Sequence, residues 1–331
     1  MPYYSSGDTP SGLFSLNGKS GLVLAFLSLV LSVWLSAPVN SEPVMTGLCF
    51  RGELSCGLSD AVWRWINAGM LAICGIYALS LTKRHNFIPV GNTLFTTAFW
   101  LMCAATPHVS TASSGGWLSL LVTLICLDIL FSLEGRKRVA EGVFLIFGFL
   151  SWGSCVQSGF ILMMPLFMLC VLFCGYLNFR SLIAIIFGVA APYWVLLACG
   201  IVAPQEVVYQ GTRNIGMLTA VDMPMFRLLL SLGITVMLFF AMLLANNVGF
   251  VSAGAQLRAR WSCFHLIGFA MVVYMLTDFA HIGNYLPLFF LCTGYECAHW
   301  CMRLRTVQKS YLAMSLFAIY IALFAAFQFF L

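Results

Sequence analysis

The chain has 331 residues, 61% of them hydrophobic and 8% charged, with a formal net charge of +5. A soluble globular protein carries about 25% charged and about 45–50% apolar residues. One water-soluble core cannot hold this much apolar surface, and a disordered chain would not contain it. A transmembrane barrel would alternate apolar and polar residues in roughly ten-residue segments. The unbroken apolar runs seen instead predict an all-α, polytopic transmembrane helical bundle.

A bilayer-crossing helix needs about 20 mostly apolar residues. In chain order, such segments fall near 20–37, 61–82, 90–106, 117–133, 139–155, 159–177, 181–202, 226–247, 261–278, 284–301 and 310–331, about eleven spans. The segment at 90–106 is short and carries Asn92, Thr93, Thr96 and Thr97, and 139–155 starts in a charged stretch. Residues 1–19 read as a cytoplasmic tail, and 20–331 as a single transmembrane domain. Lys19 before an apolar run imitates a signal peptide, but the long, nearly uncharged tail ahead of it favours a retained first helix.

Orientation follows from the basic residues. With the N-terminus inside and eleven spans, the C-terminus falls outside. Lys19, Lys83, Arg84, Arg136, Lys137, Arg138, Arg180, Arg258, Arg260, Arg303, Arg305 and Lys309 then lie inside, against Arg51, Arg64, Arg213 and Arg227 outside. Twelve against four is the asymmetry of the positive-inside rule. Trp34, Trp63, Trp65, Trp117 and Trp152 fall near outer ends, and Trp261 and Trp300 near inner ends, as aromatic belts do. The same bias accounts for the positive net charge without nucleic acid. The longest loops, 38–60 and 203–225, lie outside and are too short for a nucleic-acid-binding domain.

The familiar catalytic signatures are missing: no G-x-x-x-x-G-K-[ST], no G-x-S-x-G, no H-E-x-x-H, no C-x-x-C and no G-x-x-x-G. No cofactor and no metal are predicted. Most of the thirteen cysteines read as small packing residues within spans. Cys49 and Cys56 differ, because both lie in the first outer loop and could form a disulfide on an oxidising side.

Ionisable groups inside spans are costly and often functional. Asp128, Glu296, His299 and His265 lie toward the inner ends of their helices. They could converge as a proton or cation path. Alternatively, nearby basic loops neutralise them, Arg136–Arg138 serving Asp128 and Arg303 serving Glu296. The outer side offers Arg213 and Arg227 as an anionic-headgroup site, since a guanidinium matches phosphate oxygens in a fork. Asp278 and His281, in the short turn between the ninth and tenth spans, are the catalytic candidates there. The competing reading pairs Arg64 with Asp60 and Arg227 with Asp222 at the interface.

The order from Arg136 to Tyr193 is a basic inner loop, Phe144–Phe149, a turn at Gln157–Gly159, an apolar span, Asn178-Phe179-Arg180, Gly188 and Pro192-Tyr193. With the Lys83–Pro89 turn, Asn284–Leu288 and Arg303–Lys309, it resembles an uncharacterised family of multi-spanning inner-membrane proteins from Bacteroidota. The resemblance covers most of the chain from about residue 61 and implies an envelope location without an activity. Some proteins of that family carry a carotene-oxygenase label, whose chemistry needs four histidines on one iron. Here His85 is predicted inside, His108 and His281 outside, and His265 and His299 near the inner end, so they cannot meet at one metal.

The functional expectation is a protein of the bacterial inner membrane that processes envelope glycans or lipid-linked intermediates at its outer face. Membrane lipids, and a polyprenyl-phosphate-linked substrate, are its expected partners. A transporter or flippase using the buried acids, and a non-catalytic scaffold, are the alternatives. Whether the protein is an enzyme stays open at this point.

Overall fold

The computed structural model describes residues 19–35, 44–46, 49, 51–53, 59–86, 88, 93–106, 109, 115–135, 138–202, 223–250, 254–278, 282–301, 315, 316, 318–323, 325 and 326. Ten helices have defined bounds among them: α1 Lys19–Leu35, α2 Asp60–His85, α3 Leu94–Ala105, α4 Gly116–Ser132, α5 Val139–Val156, α6 Gly159–Phe173, α7 Phe179–Ala198, α8 Met223–Phe250, α9 Ala255–Thr277 and α10 Ile282–Cys301. The described residues between 315 and 326 are helical as well. The described residues of each predicted span are thus mostly helical. Between α1 and α2 lie two short antiparallel strands, β1 Val44–Thr46 against β2 Arg51–Glu53, with Met45 opposite Gly52.

Among the described residues, α2, α5, α7, α8 and α9 are long and apolar enough to cross a membrane. Their outward faces are apolar too. Phe179 (79% exposed) and Trp194 (74%) stand out from α7, Met237 (76%) from α8 and Leu276 (74%) from α9. Water does not tolerate large side chains spread over a surface in this way. The pattern is that of a multi-pass membrane protein, surrounded by lipid.

The short segment at 90–106 gives α3, which has 12 residues and is buried throughout. Twelve helical residues rise about 18 Å, against a hydrocarbon thickness of about 30 Å. It is an internal helix wedged between longer ones. The most enclosed of the longer helices is α10, with 18 of its 20 residues buried. It packs against α3, α4, α8 and α9. Its surroundings are protein rather than lipid, which explains how it carries Asn284, Tyr285, Thr293, Glu296 and His299. Close approach at its flanks needs glycine: a Cβ on Gly294 would lie 2.9 Å from the Phe95 carbonyl oxygen, and one on Gly116 would strike the Gly283 carbonyl.

Interhelix contacts sort the helix termini into two ends. At the basic end, Arg84 on α2 meets Asp128 on α4 at 2.5 Å, and Arg260 on α9 donates to the His85 carbonyl at 2.5 Å. Cys174, just after α6, lies 4.0 Å from Cys263 on α9. At the opposite end, Asn67 donates to the Val109 carbonyl (2.7 Å), Thr106 meets Ser231 (2.7 Å), Ser119 donates to the Asn284 carbonyl (2.6 Å) and Ser154 meets Tyr193 (2.5 Å). Successive helices thus alternate in direction from α2 to α10.

Candidate functional site

Asp128 is the hub of the basic end. It lies on α4 just over one turn from the helix end, and is buried. Tyr77 donates its hydroxyl to Oδ2 at 2.8 Å, Arg84 donates to Oδ2, and His85 Nε2 lies 2.7 Å from Oδ1. Arg84 and His85 occupy the last turn of α2, where cations complement the helix dipole. That turn is closed by Asn86 in the left-handed conformation (φ 50°), whose N–H bonds to the Thr82 carbonyl at 3.0 Å. Arg260 extends the cluster by pairing with Glu134 and lying over the Phe131 ring, 5.8 Å from its centroid.

Among the described residues, Asp128 is held by Arg84 and His85 from α2. Arg138 instead pairs with Glu141 at 3.2 Å; Arg136 and Lys137 lie outside the described residues. A half-open recess of about 480 Å³ lies beside the hub, lined by Asp128, Ser132, Arg138, Glu141 and Gly142 among others.

Glu296 forms a second centre, deeper in the bundle, and is fully buried. His265 Nε2 on α9 lies 2.9 Å from Glu296 Oε1. Asn246 on α8 donates Nδ2 to Glu296 Oε2 at 2.7 Å and to its backbone carbonyl at 3.0 Å. With its Nδ2 committed to two acceptors, the Asn246 Oδ1 points the other way, and it meets no donor among the described residues. Aromatic rings close the surroundings. Phe264 stacks on Tyr295 at 4.2 Å between centroids, and Trp261 packs edge-on against His299 at 4.0 Å. Two of the acidic or imidazole groups named from the sequence therefore do converge, Glu296 and His265, while Asp128 belongs to a separate cluster. Arg303, the expected partner of Glu296, lies outside the described residues.

At the opposite end, Asp278 caps the C-terminus of α9 and accepts a hydrogen bond from the Tyr285 hydroxyl at 3.0 Å. Arg213, Asp222 and His281 lie outside the described residues, as do the side chains of Arg227 and Asp60. Cys49, expected opposite Cys56, carries a free thiol and donates its backbone N–H to the Cys155 carbonyl at 3.2 Å. Cys56 itself is outside the described residues. Among those residues, no group of three His, Cys, Asp or Glu side chains is arranged to hold a metal ion.

The sequence reading missed Asn246, Tyr77 and Arg84 as partners of the buried acids. Asn246 had a signal: a carboxamide inside a strongly apolar run needs a polar partner in a membrane. Comparison with protein-family models, with curated proteins and with solved structures finds no match to this chain.

Proposed function

We propose that the chain is a bacterial inner-membrane protein with its N-terminus inside and its C-terminus outside, and that it couples proton movement to transport of a lipid or small solute. The observation that carries this reading is the nature of the partners around Glu296. Asp128 is held by His85 and also by Arg84, whose charge is permanent, so that carboxylate keeps a cationic partner whatever the histidine carries. The fully buried Glu296 is met by an imidazole and a neutral carboxamide. An imidazole and a carboxylate can each take up or release a proton. A proton entering or leaving this pair changes the charge of an enclosed site, a costly event in apolar packing that a movement of α8, α9 or α10 can relieve. The Asn246 Oδ1, which meets no donor among the described residues, supplies an acceptor for an incoming donor group. The orientation is supported by the twelve-to-four bias of basic residues.

The test uses inverted membrane vesicles carrying the protein and an imposed pH gradient reported by a quenched acridine dye. A panel of amines, cations and sugars is added in turn. Dequenching by at least one compound with the parent, and not with Glu296→Gln, is expected. Identical responses from both proteins across the panel, with both folded, overturn the reading.

A second reading, processing of envelope glycan or lipid-linked intermediates at the outer face, is favoured by the Asp278–Tyr285 contact, which orients a carboxylate at the opposite end of the bundle. It assigns Arg213 and Arg227 to an anionic headgroup, beside Asp278 and His281. Charge-assisted hydrogen bonds are worth about 1.5–3 kcal/mol each, so Arg213→Ala with Arg227→Ala should lower retention of anionic lipid on the order of a hundredfold. An unchanged profile of co-purifying lipid in the folded double variant removes this reading.

A further inference from the structure

The first outer loop meets the bundle at one described point. Cys49 lies against the C-terminal turn of α5, where Cys155, Leu196 and Val202 form a small apolar cluster with Tyr193 at its edge. The backbone N–H of Cys49 donates to the Cys155 carbonyl at 3.2 Å. With N–Cα about 1.5 Å and carbonyl O to Cα about 2.4 Å, such a bond holds the two Cα atoms within about 7 Å, near the roughly 4.4–6.8 Å that disulfides span. The Cys49 side chain also packs against the apolar cluster that holds Cys155. The arrangement sits at the opposite end from Arg84 and Asp128, which under the orientation proposed above is the oxidising side.

We infer that Cys49 and Cys155 form a disulfide in the mature protein, pinning the first outer loop onto the ends of α5 and α7. The step is a thiol–disulfide exchange with an envelope thiol oxidoreductase. The Cys49 thiolate attacks one sulfur of the oxidoreductase disulfide, giving a mixed disulfide and one released thiol. The Cys155 thiolate then displaces the second enzyme thiol. The two protein thiols are oxidised, one enzyme disulfide is reduced to a dithiol, and the protons pass to the enzyme sulfurs.

The molecule supplies an internal reference. Cys174 and Cys263 have sulfurs 4.0 Å apart at the basic end, the reducing side under the same orientation, and should stay thiols in the cell. The experiment is alkylation of the full-length protein in growing cells before and after reductant, with the modified and cross-linked peptides identified by mass spectrometry. Cys49 and Cys155 should resist alkylation until reduced and yield a joined peptide. Cys49→Ser should free Cys155, Cys155→Ser should free Cys49, and Cys56→Ser should change neither. The serine at 155 keeps a hydroxyl for the Ser151 carbonyl, to which the thiol now donates at 3.4 Å, so this variant is expected to fold.

A Cys49–Cys56 peptide, or a Cys49 that alkylates at once, overturns the inference. Purified protein treated with a chemical thiol oxidant separates the two grounds for failure. Bridging of Cys49 to Cys155 in vitro, with Cys174 and Cys263 found oxidised in cells, would mean that the orientation is inverted. No bridging in vitro would mean that the pairing itself is wrong.

Discussion

His265 on α9 and the fully buried Glu296 on α10 face each other at 2.9 Å across an antiparallel helix pair. The contact is part of a register. Trp261 meets His299, Phe264 meets Tyr295, and a Cβ on Gly268 would lie 3.2 Å from the Cys292 Cβ. Each residue meets the one about equally far from the short turn that joins the helices.

Removing one member of this pair should cost more than removing both. His265→Ala leaves a buried carboxylate with a neutral carboxamide as its remaining named side-chain partner. Losing one side of a buried ion pair typically costs about 3–5 kcal/mol. Glu296→Gln keeps the shape and an acceptor for Asn246. The midpoint of thermal unfolding in detergent should therefore fall most in His265→Ala, and adding Glu296→Gln to it should restore part of the loss. Additive losses in the double variant would mean that the two groups do not compensate each other.

The Asp128 hub should divide its stability unevenly between its partners. The Arg84 side chain is 55% exposed, whereas that of His85 is 7% exposed. Exposed ion pairs contribute about 1 kcal/mol or less. Arg84→Ala should lower the unfolding midpoint slightly, and His85→Ala clearly more, by about 1–3 kcal/mol, because Asp128 then loses a buried hydrogen-bonding partner. Equal effects would count against the burial argument.

Most of the fold was legible because a bilayer makes helix placement a matter of apolar run length. The run at 90–106 shows the limit. Its polar residues marked it as weak, but only packing shows α3 as an internal helix, with Thr96 donating to the Gly75 carbonyl at 3.1 Å. The site was half legible. Glu296 and His265 stood out as ionisable residues within spans, and the short turn near 279–281 makes them opposite neighbours once the ninth and tenth spans are folded into a hairpin. Asp128 was legible only as a lone acid: its described partners come from α2, with α3 between in sequence, while Arg138 pairs with Glu141. Lateral packing of non-consecutive helices leaves no periodic mark in a chain that is apolar all round.

Glycines at close approaches should separate from glycines facing open space. A Cβ on Gly294 would come within 2.9 Å of the Phe95 carbonyl oxygen and 3.3 Å of the Phe99 nitrogen, both backbone atoms that cannot turn aside. Gly294→Ala should destabilise by about 1–3 kcal/mol, the usual cost of overpacking. Gly233, inside α8, has nothing within 4 Å of its Cβ position. Gly233→Ala should be neutral or raise stability by up to about 1 kcal/mol, since alanine is the better helix former. The two variants are compared by unfolding midpoint and by the fraction extracted as monodisperse protein.

Orientation is tested by reporters. The bonds between α2, α4 and α9 gather Arg84, Asp128, Glu134 and Arg260 at one end, the end that the proposed orientation puts in the cytoplasm. A reporter inserted within 134–138 should therefore be active as a cytoplasmic fusion. One placed after Leu331 should be active as a periplasmic fusion, because an odd number of crossings separates the two termini. A third insertion, within 110–114, examines α3. Its 12 residues rise only about 18 Å, yet Thr106 beyond its C-terminus bonds to Ser231 at the end of the bundle opposite Arg84. The 110–114 reporter should accordingly behave as periplasmic, with the flanking residues completing the passage. A cytoplasmic signal there, together with a periplasmic signal from a reporter within 134–138, would mean that α3 does not carry the chain across and that every later loop has the opposite side from the one assigned.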